Sequence, residues 1–367
     1  MDTERRPRSR SLDGVRAIAI VMVVVFHSLR HVAGGYIGVE IFFTLSGFLI
    51  TTLLLGELAA NDAIDRRAFY ARRALRLLPG LGGAIALCVV LVVLTGSNHG
   101  GIPLTRAVPP VALYIGNWVE AAGVSLGFLS HTWSLAIEEQ FYLLWPFVVV
   151  VLARRTDAVS VLVKVMIGLV IFRAVLTPFV PSTLNFSVWT TSRADCLVIG
   201  AILAIVFTRE PDRVVRAADR PWVGVAGLLT LAGAFILLSM VRSPWTWSDY
   251  GVTTVVAVAT AALIAHLVAL PGGTIARALA WRPAAAVGRV SYGIYLYHWP
   301  IVAALSAVAL PFFARLGFEY ALTAAAVLVS WFAIERPALR RKGRFIRTRV
   351  ALSGEGDPAA APTTVLE

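Results

Sequence analysis

The sequence predicts an all-α, polytopic integral membrane protein with about ten transmembrane helices and both termini in the cytoplasm. Three observations carry this reading. Of the 367 residues, 58% are hydrophobic and only 15% are charged, with mean hydropathy +0.78. That balance excludes a disordered chain and matches a soluble domain poorly. Apolar runs long enough to cross a bilayer, about 20 residues each, recur along the whole chain. Between them lie short segments in which arginines gather, as they do in cytoplasmic loops.

Taken in order, spans are predicted at 13–33, 37–56, 80–95, 132–153, 158–179, 194–208, 222–241, 250–270, 288–308 and 318–335. The apolar stretch 108–118 is too short to cross and reads as a re-entrant or interfacial piece. With the N-terminus inside, 27 of the 33 lysines and arginines fall on the cytoplasmic side. A shift of register by one span would place most of them outside. The first run follows basic residues as a signal peptide would. However, Arg16 and His27 bound its apolar middle and no A-x-A site follows, so it reads as an uncleaved first helix. The organisation is then a cytoplasmic segment 1–12, a transmembrane domain 13–335, and a tail 336–367 that begins basic and becomes low-complexity, expected to be disordered.

Several function classes drop out. The net charge of +12 is explained by loop arginines, and no nucleic-acid-binding motif accompanies it. Cys88 and Cys196 sit apart in apolar runs without a CxxC or Cys/His neighbourhood, which argues against a disulfide framework or zinc site. No Walker A sequence occurs, and the only lysines are Lys164 and Lys342. "GVSLG" at 123–127 fits the nucleophile-elbow pattern but lacks its strand-to-helix context. No internal repeat suggests a transporter of inverted halves.

Five stretches carry chemistry. In "SLDGVRAIAIVMVVVFHS", residues 11–28, Arg16 and His27 stand eleven residues apart on one helical face, roughly 16 Å from each other. Ionisable groups facing lipid are costly, so this face should turn toward protein or a water-filled cavity. His27 is suited to accept a hydroxyl proton near neutral pH. His31 follows one turn later, but no acidic or cysteine ligand accompanies the pair, so no metal site is expected. In "GGYIGVEIFFTLSGFLIT", the Gly34–Gly35 turn should return Glu40 toward His27, whose tautomer it could fix, or toward Arg30.

In "FYARRALRLLP", Arg72, Arg73 and Arg76 lie within about one helical turn on the cytoplasmic side. They either meet lipid head groups or cradle a phosphorylated donor, for which the guanidinium fork is suited. In "HTWSLAIEEQFYLLWP", Glu138, Glu139 and Gln140 interrupt an apolar run. His131, Ser134, Glu138 and Tyr142 share one face, reading as a polar pocket wall near the outer surface. "VGRVSYGIYLYHWPI" brings Tyr292, Tyr295, Tyr297, His298 and Trp299 together. Trp118, Trp133, Trp189, Trp245 and Trp247 fall in or beside outer loops, as an interfacial belt or as a stacking surface for a ring-shaped substrate.

Together these motifs, in this order and over nearly the whole chain, resemble the membrane acyltransferase-3 family, which O-acetylates surface polysaccharides, peptidoglycan and macrolides. The Arg-x10-His pair falls on Arg16 and His27, and R-x-x-R on Arg73 and Arg76. "SGFLI", "WSLxxEEQFYLLWP" and "SYGIYLYHWP" complete the match. The resemblance implies transfer of an acyl group, acetyl above all, from cytoplasmic acyl-CoA to a hydroxyl of a glycan, a lipid-linked sugar or a macrolide. It implies catalytic roles for His27, Arg16 and Glu40, and donor binding by Arg72, Arg73 and Arg76. Substrate contacts are expected at Trp133, Glu138, Glu139, Tyr142 and His298. No permanently bound cofactor is implied, acetyl-CoA being a donor substrate. The partners are that donor, the acceptor and membrane lipid, with no nucleic acid.

Two features depart from the family pattern. Glu40 stands where relatives commonly carry aspartate, and no secreted SGNH hydrolase-like domain follows the membrane part. Acceptor choice is then expected within the membrane domain or from a separate partner. The rival reading is a proton-coupled transporter or flippase of a lipid-linked sugar or antibiotic, which intramembrane ionisable residues would suit equally. The topology is open to test: a cysteine introduced in 209–221 should resist an impermeant thiol reagent applied to intact cells. One introduced in 243–248 should react.

Overall fold

The computed structural model describes residues 7–29, 32–241 and 248–340. His31, Arg30, Trp245, Trp247 and most of the C-terminal tail lie outside these residues. Every regular element described is helical, and no strand forms among the described residues. Among the described residues nine helices are long and apolar enough to cross a membrane, and the chain is a multi-pass membrane protein of the cell membrane.

The first helix, α1 (Pro7–Ser28), ends in a 3-10 turn, Ala33–Ile37, that leads directly into α2 (Gly38–Asn61). α3 (Arg66–Thr95) is 30 residues long. It begins 14 residues earlier than the predicted span at 80, so the arginine cluster forms its first three turns rather than a loop. Asp65 explains the early start: its carboxylate caps the helix, accepting the Ala68 N–H at 3.0 Å. Gly96 closes the other end at φ 68°. Pro79 lies inside α3, a placement tolerated within a helix bundle in membrane.

The apolar 108–118 stretch resolves into two short helices, α4 (Leu104–Ala112) and α5 (Gly116–Ala121), with Tyr114 at φ 54° between them. Then follow α6 (Trp133–Ala153), α7 (Ala158–Leu176), α8 (Thr190–Arg209), the short α9 (Pro211–Ala218), α10 (Pro221–Met240) and α11 (Thr253–Ala269). The predicted span 288–308 is not continuous. It divides at Val290 into the end of α13 (Arg282–Arg289), which follows α12 (Thr274–Leu279), and the 16-residue α14 (Ser291–Ser306). α14 is shorter than the other spans, about 24 Å. α15 (Phe312–Ser330) continues through a π turn, Trp331–Glu335, into α16 (Arg336–Arg340).

α1, α2, α8 and α11 form the buried centre, whereas α3, α7, α10 and α15 turn Leu94, Ile171, Met240 and Phe313 outward. Those exposed apolar side chains suit a surface that faces lipid. Within the centre, α2 and α8 lie backbone against backbone. A side chain at Gly200 would meet the Thr44 carbonyl oxygen at 2.0 Å, and one at Gly47 would meet that of Leu197 at 2.0 Å. Such small-residue contacts allow the close approach of membrane helices. Glu40 on α2 and Arg193 on α8 each lie seven residues, about two turns, before these glycines.

Replacement of Gly200 by alanine should therefore force the two helices apart and lower the thermal stability of detergent-purified protein, by about 1–3 kcal/mol or more. Gly56→Ala, on the same α2 helix but with nothing within 4 Å, should leave it unchanged or slightly raised.

Candidate functional site

Three cavities succeed one another across the helix bundle. The first, about 210 Å³, lies on the N-terminal side and is lined by Arg16 of α1, Ser46 of α2, Arg72, Arg73 and Arg76 of α3, and Glu138 and Tyr142 of α6. Val39 and Tyr295 border both this cavity and a second one of only about 50 Å³. His27, Glu40, His131, Trp133 and Arg193 line the second. His27, His131, Trp133 and Arg193 also wall the third, which opens toward Glu120 and the segment 180–188 on the opposite side. Arg16 and His27 thus sit on one helix at either end of a polar path, as their spacing suggested.

The first cavity divides its charges unequally. Arg73 donates to Glu139 at 2.5 Å, and its guanidinium lies 3.4 Å over the Tyr142 ring centre. Glu138 accepts from Tyr142 at 2.6 Å and also from Ser46. Arg72 reaches Glu57 at 3.4 Å, and Arg16 reaches Asp13 at 3.1 Å. Arg76 alone among these arginines has no hydrogen bond or ion pair to a described residue, and it is exposed to the cavity. Glu139 holds Arg73 and lines none of the three cavities. Glu138 and Tyr142 belong to the arginine-lined cavity rather than to an outer pocket, because α6 carries them more than a turn inward from Trp133.

His27 sits among aromatic rings, with Phe26, His298 and Trp299 centred 4.8, 5.0 and 4.9 Å away. Its hydrogen bonds fix which nitrogen carries the proton. His298 Nδ1 faces the carbonyl oxygens of Ile294 and Tyr295 at 3.0 and 2.7 Å. Carbonyls only accept, so this nitrogen is the donor and the neutral ring's Nε2 carries a lone pair. His27 Nδ1 lies 3.2 Å from that Nε2 and 2.9 Å from the Val23 carbonyl oxygen. It must therefore donate, which leaves His27 Nε2 unprotonated and without a partner among the described residues. That nitrogen is a ready base. His298 is fully buried and lines none of the cavities, so the expected substrate contact is replaced by a contact to His27.

Glu40 does not hydrogen-bond His27 as the hairpin suggested. Its Oε1 accepts from Arg193 Nη1 at 2.6 Å, both side chains being 1% exposed. Arg193 also donates from Nε to the Ser187 carbonyl at 2.6 Å. A second buried pair follows on α8: Asp195 with Arg173 of α7, at 3.0 Å, with Thr254 donating to the same carboxylate. Arg193 is absent from the sequence-derived candidates. The usable signal was "SRADC", two ionisable residues at the head of an otherwise apolar span.

The tyrosines of "SYGIYLYHWP" are anchors. Tyr292 donates to the Leu77 carbonyl at 2.7 Å and Tyr297 to that of Gly80 at 3.3 Å. Tyr295 donates to the His131 carbonyl and so accepts from Ser134, 2.6 Å away. In the third cavity Glu120 accepts from the Leu126 N–H at 2.7 Å, while burial pushes its carboxyl above the ordinary range against that hydrogen bond. Trp118 and Trp189 pair at 6.0 Å near this opening. Among the described residues no group of three or more His, Cys, Asp or Glu could hold a metal ion. Cys88 and Cys196 are buried free thiols.

The fold and cavities define a class: a multi-pass membrane protein whose helix bundle holds an arginine-lined cavity on one side and an open cavity on the other, with His27 between them. The chain belongs to the acyltransferase-3 family, whose model, described as an acyltransferase domain, matches residues 9–335. It is 31% identical over 309 residues to the peptidoglycan O-acetyltransferase OatA of Listeria monocytogenes, covering 80% of this chain and 49% of that protein. It is 30% identical over 357 residues to the O-acetyltransferase OatA of Staphylococcus aureus, covering 90% of this chain and 57% of that protein. The chain thus spans about half the length of these relatives. No solved structure matches it.

The Glu40–Arg193 pair makes a prediction. Glu40→Ala should leave a buried guanidinium unpaired and destabilise the protein by about 3–5 kcal/mol, seen as a lost or lowered melting transition. Glu40→Gln, which keeps an acceptor for Arg193, should retain more of the folded protein.

Proposed function

We propose that this protein is a membrane-bound O-acyltransferase that moves an acetyl group from acyl-CoA, held on the arginine side, to a hydroxyl of a glycan on the opposite side. The observation that carries the reading is the position of His27. Its unprotonated Nε2 belongs to the constriction at which the arginine-lined path and the opposite cavity come together. Family membership and the peptidoglycan O-acetyltransferase named among its relatives support acetyl as the group and a cell-wall glycan as the acceptor.

The donor enters by its phosphates. Arg76, without a partner among the described residues, and Arg16 offer guanidinium groups to them, while Arg73 is held in place by Glu139 and Tyr142. Arginine's fork suits phosphate oxygens. The thioester end then reaches past Val39 and Tyr295 toward His27. The acceptor comes from the third cavity, where Trp133 offers an aromatic face to a sugar ring. His27 takes the hydroxyl proton as the oxygen attacks the thioester carbon. His298 keeps the proton of His27 on Nδ1 throughout, so Nε2 remains the reactive nitrogen.

The size of the middle cavity favours this reading over transport. At about 50 Å³ it has room for little more than one or two water molecules, whose share of liquid volume is about 30 Å³ each. An acetyl group and a hydroxyl can meet there, but a whole sugar cannot pass.

Two substitutions test the proposal on purified protein supplied with acetyl-CoA and glycan fragments. His27→Ala should lower turnover by about 10²–10⁴-fold with the protein still monodisperse. Arg76→Ala removes a guanidinium that holds no other residue, so folding should be unaffected. The KM for acetyl-CoA should rise by about tenfold or more, the value of a charge-assisted hydrogen bond of about 1.5–3 kcal/mol. A His27→Ala protein within a few-fold of the parent would remove the base from this mechanism.

A further inference from the structure

The small middle cavity holds polar groups that the reaction described above does not use. His131 is 4% exposed, and neither of its ring nitrogens has a hydrogen-bond partner. The nearby carbonyls of Phe128 and Leu296 sit outside bonding geometry. Glu40 Oε2 is likewise buried without a partner, although Oε1 is held by Arg193. Both residues line the same cavity as His27. A buried polar atom without a partner costs about 1–3 kcal/mol. Two such residues facing one space of about 50 Å³ indicate that a ligand completes them.

Their chemistry selects the ligand. A neutral imidazole at His131 presents one N–H donor and one lone pair, whichever tautomer it adopts. The Glu40 carboxylate presents lone pairs only, and so does His27 Nε2. The wall of this cavity is otherwise mostly apolar, with Val23, Phe26 and Val39 beside these few polar groups, and an uncharged donor is at His131. A hydroxyl both donates and accepts, so it can take the His131 N–H on its oxygen while giving its single proton to His27 Nε2.

Building on the acyltransferase reading, we propose that His131 forms the seat of the acceptor's attacking hydroxyl, its N–H donating to the hydroxyl oxygen. In the step itself the hydroxyl O–H breaks and its proton passes to His27 Nε2. The oxygen lone pair forms the new bond to the thioester carbon. The C–S bond then breaks with its electron pair going to sulfur, and the imidazolium of His27 returns the proton to the thiolate. Thioester and alcohol become ester and thiol. His131 exchanges no proton; it holds the oxygen over the base. Its place in both the middle and the outer cavity puts it where the acceptor arrives.

The test compares His131→Gln, which keeps an N–H donor, with His131→Leu, of similar size but without one. Both are purified in lipid nanodiscs and assayed with acetyl-CoA and soluble peptidoglycan glycan fragments. The Leu variant should lose about 10–100-fold in kcat/KM for the glycan, the value of one buried hydrogen bond, with KM for acetyl-CoA within about threefold of the parent. The Gln variant should recover most of that loss. If the Leu variant is not monodisperse, His131→Ala with and without added imidazole makes the same comparison, and imidazole should restore transfer.

A Leu variant as active as the parent, a loss expressed only in the acetyl-CoA KM, or a Gln variant no better than Leu would each overturn the assignment of His131. So would an Ala variant that imidazole leaves unchanged. Failure of the parent itself to transfer acetyl from acetyl-CoA would instead overturn the donor reading, and this inference with it.

Discussion

The buried ion pair between Glu40 and Arg193 is the contact on which the centre of this protein depends. It joins α2 to α8 where the middle cavity forms, at 2.6 Å and almost without exposure. Two turns further on, Gly47 and Gly200 bring the same two helices into backbone contact. In water a buried ion pair contributes little net stability, because removing two charges from solvent offsets most of their attraction. Inside a membrane bundle neither partner has an accessible solvent alternative, and the pair is kept together by that lack. Register follows: a slip of α8 by one residue would strand both charges. The neighbouring Arg173–Asp195–Thr254 cluster extends the same tie from α8 to α7 and α11.

Around this fixed centre the polar groups fall into two sets. Glu138, Tyr142, Tyr295 and His298 have hydrogen bonds met by other side chains or by carbonyls, and Arg73 is held by Glu139. They are framework, and they hold the cavity walls in position. Arg76, His27 Nε2, His131 and Glu40 Oε2 face cavity space with capacity unmet. Placing unmet polar groups in a membrane interior is costly, and in the proposed reaction the second set meets substrate atoms. The unmet groups are ordered along the path: a cation on one side, then an imidazole base and, beside it, the imidazole–carboxylate pair.

The path also accounts for the geometry of a reaction whose substrates stay on opposite sides. Neither needs to cross, provided that the reacting atoms meet at a constriction of about 50 Å³. α14, only 16 residues long and pinned to α3 and to the His131 carbonyl by its tyrosines, lets His298 and Trp299 pack beside His27 while cavities approach from both directions.

The amino-acid sequence by itself determined the helical, multi-pass class, the polar face shared by Arg16 and His27, and the arginine cluster. Each of these follows from local periodicity, apolar length or the cost of charge in hydrocarbon, all of which operate within one segment. It also named many of the polar residues that line the first two cavities. Only the tertiary structure decided how they are paired. Glu40 was read toward His27 because the two are close in sequence, yet its partner Arg193 lies 153 positions away. Glu138 and Glu139, adjacent in sequence, face different neighbours because consecutive residues on a helix point about 100° apart. His298 looked like a substrate ligand and instead sets the tautomer of His27, and His131 became distinctive only when no partner came within reach. Which polar groups are satisfied, and which are left for a substrate, depends on helix–helix packing between distant segments, and a single chain of residues carries no local signal for it.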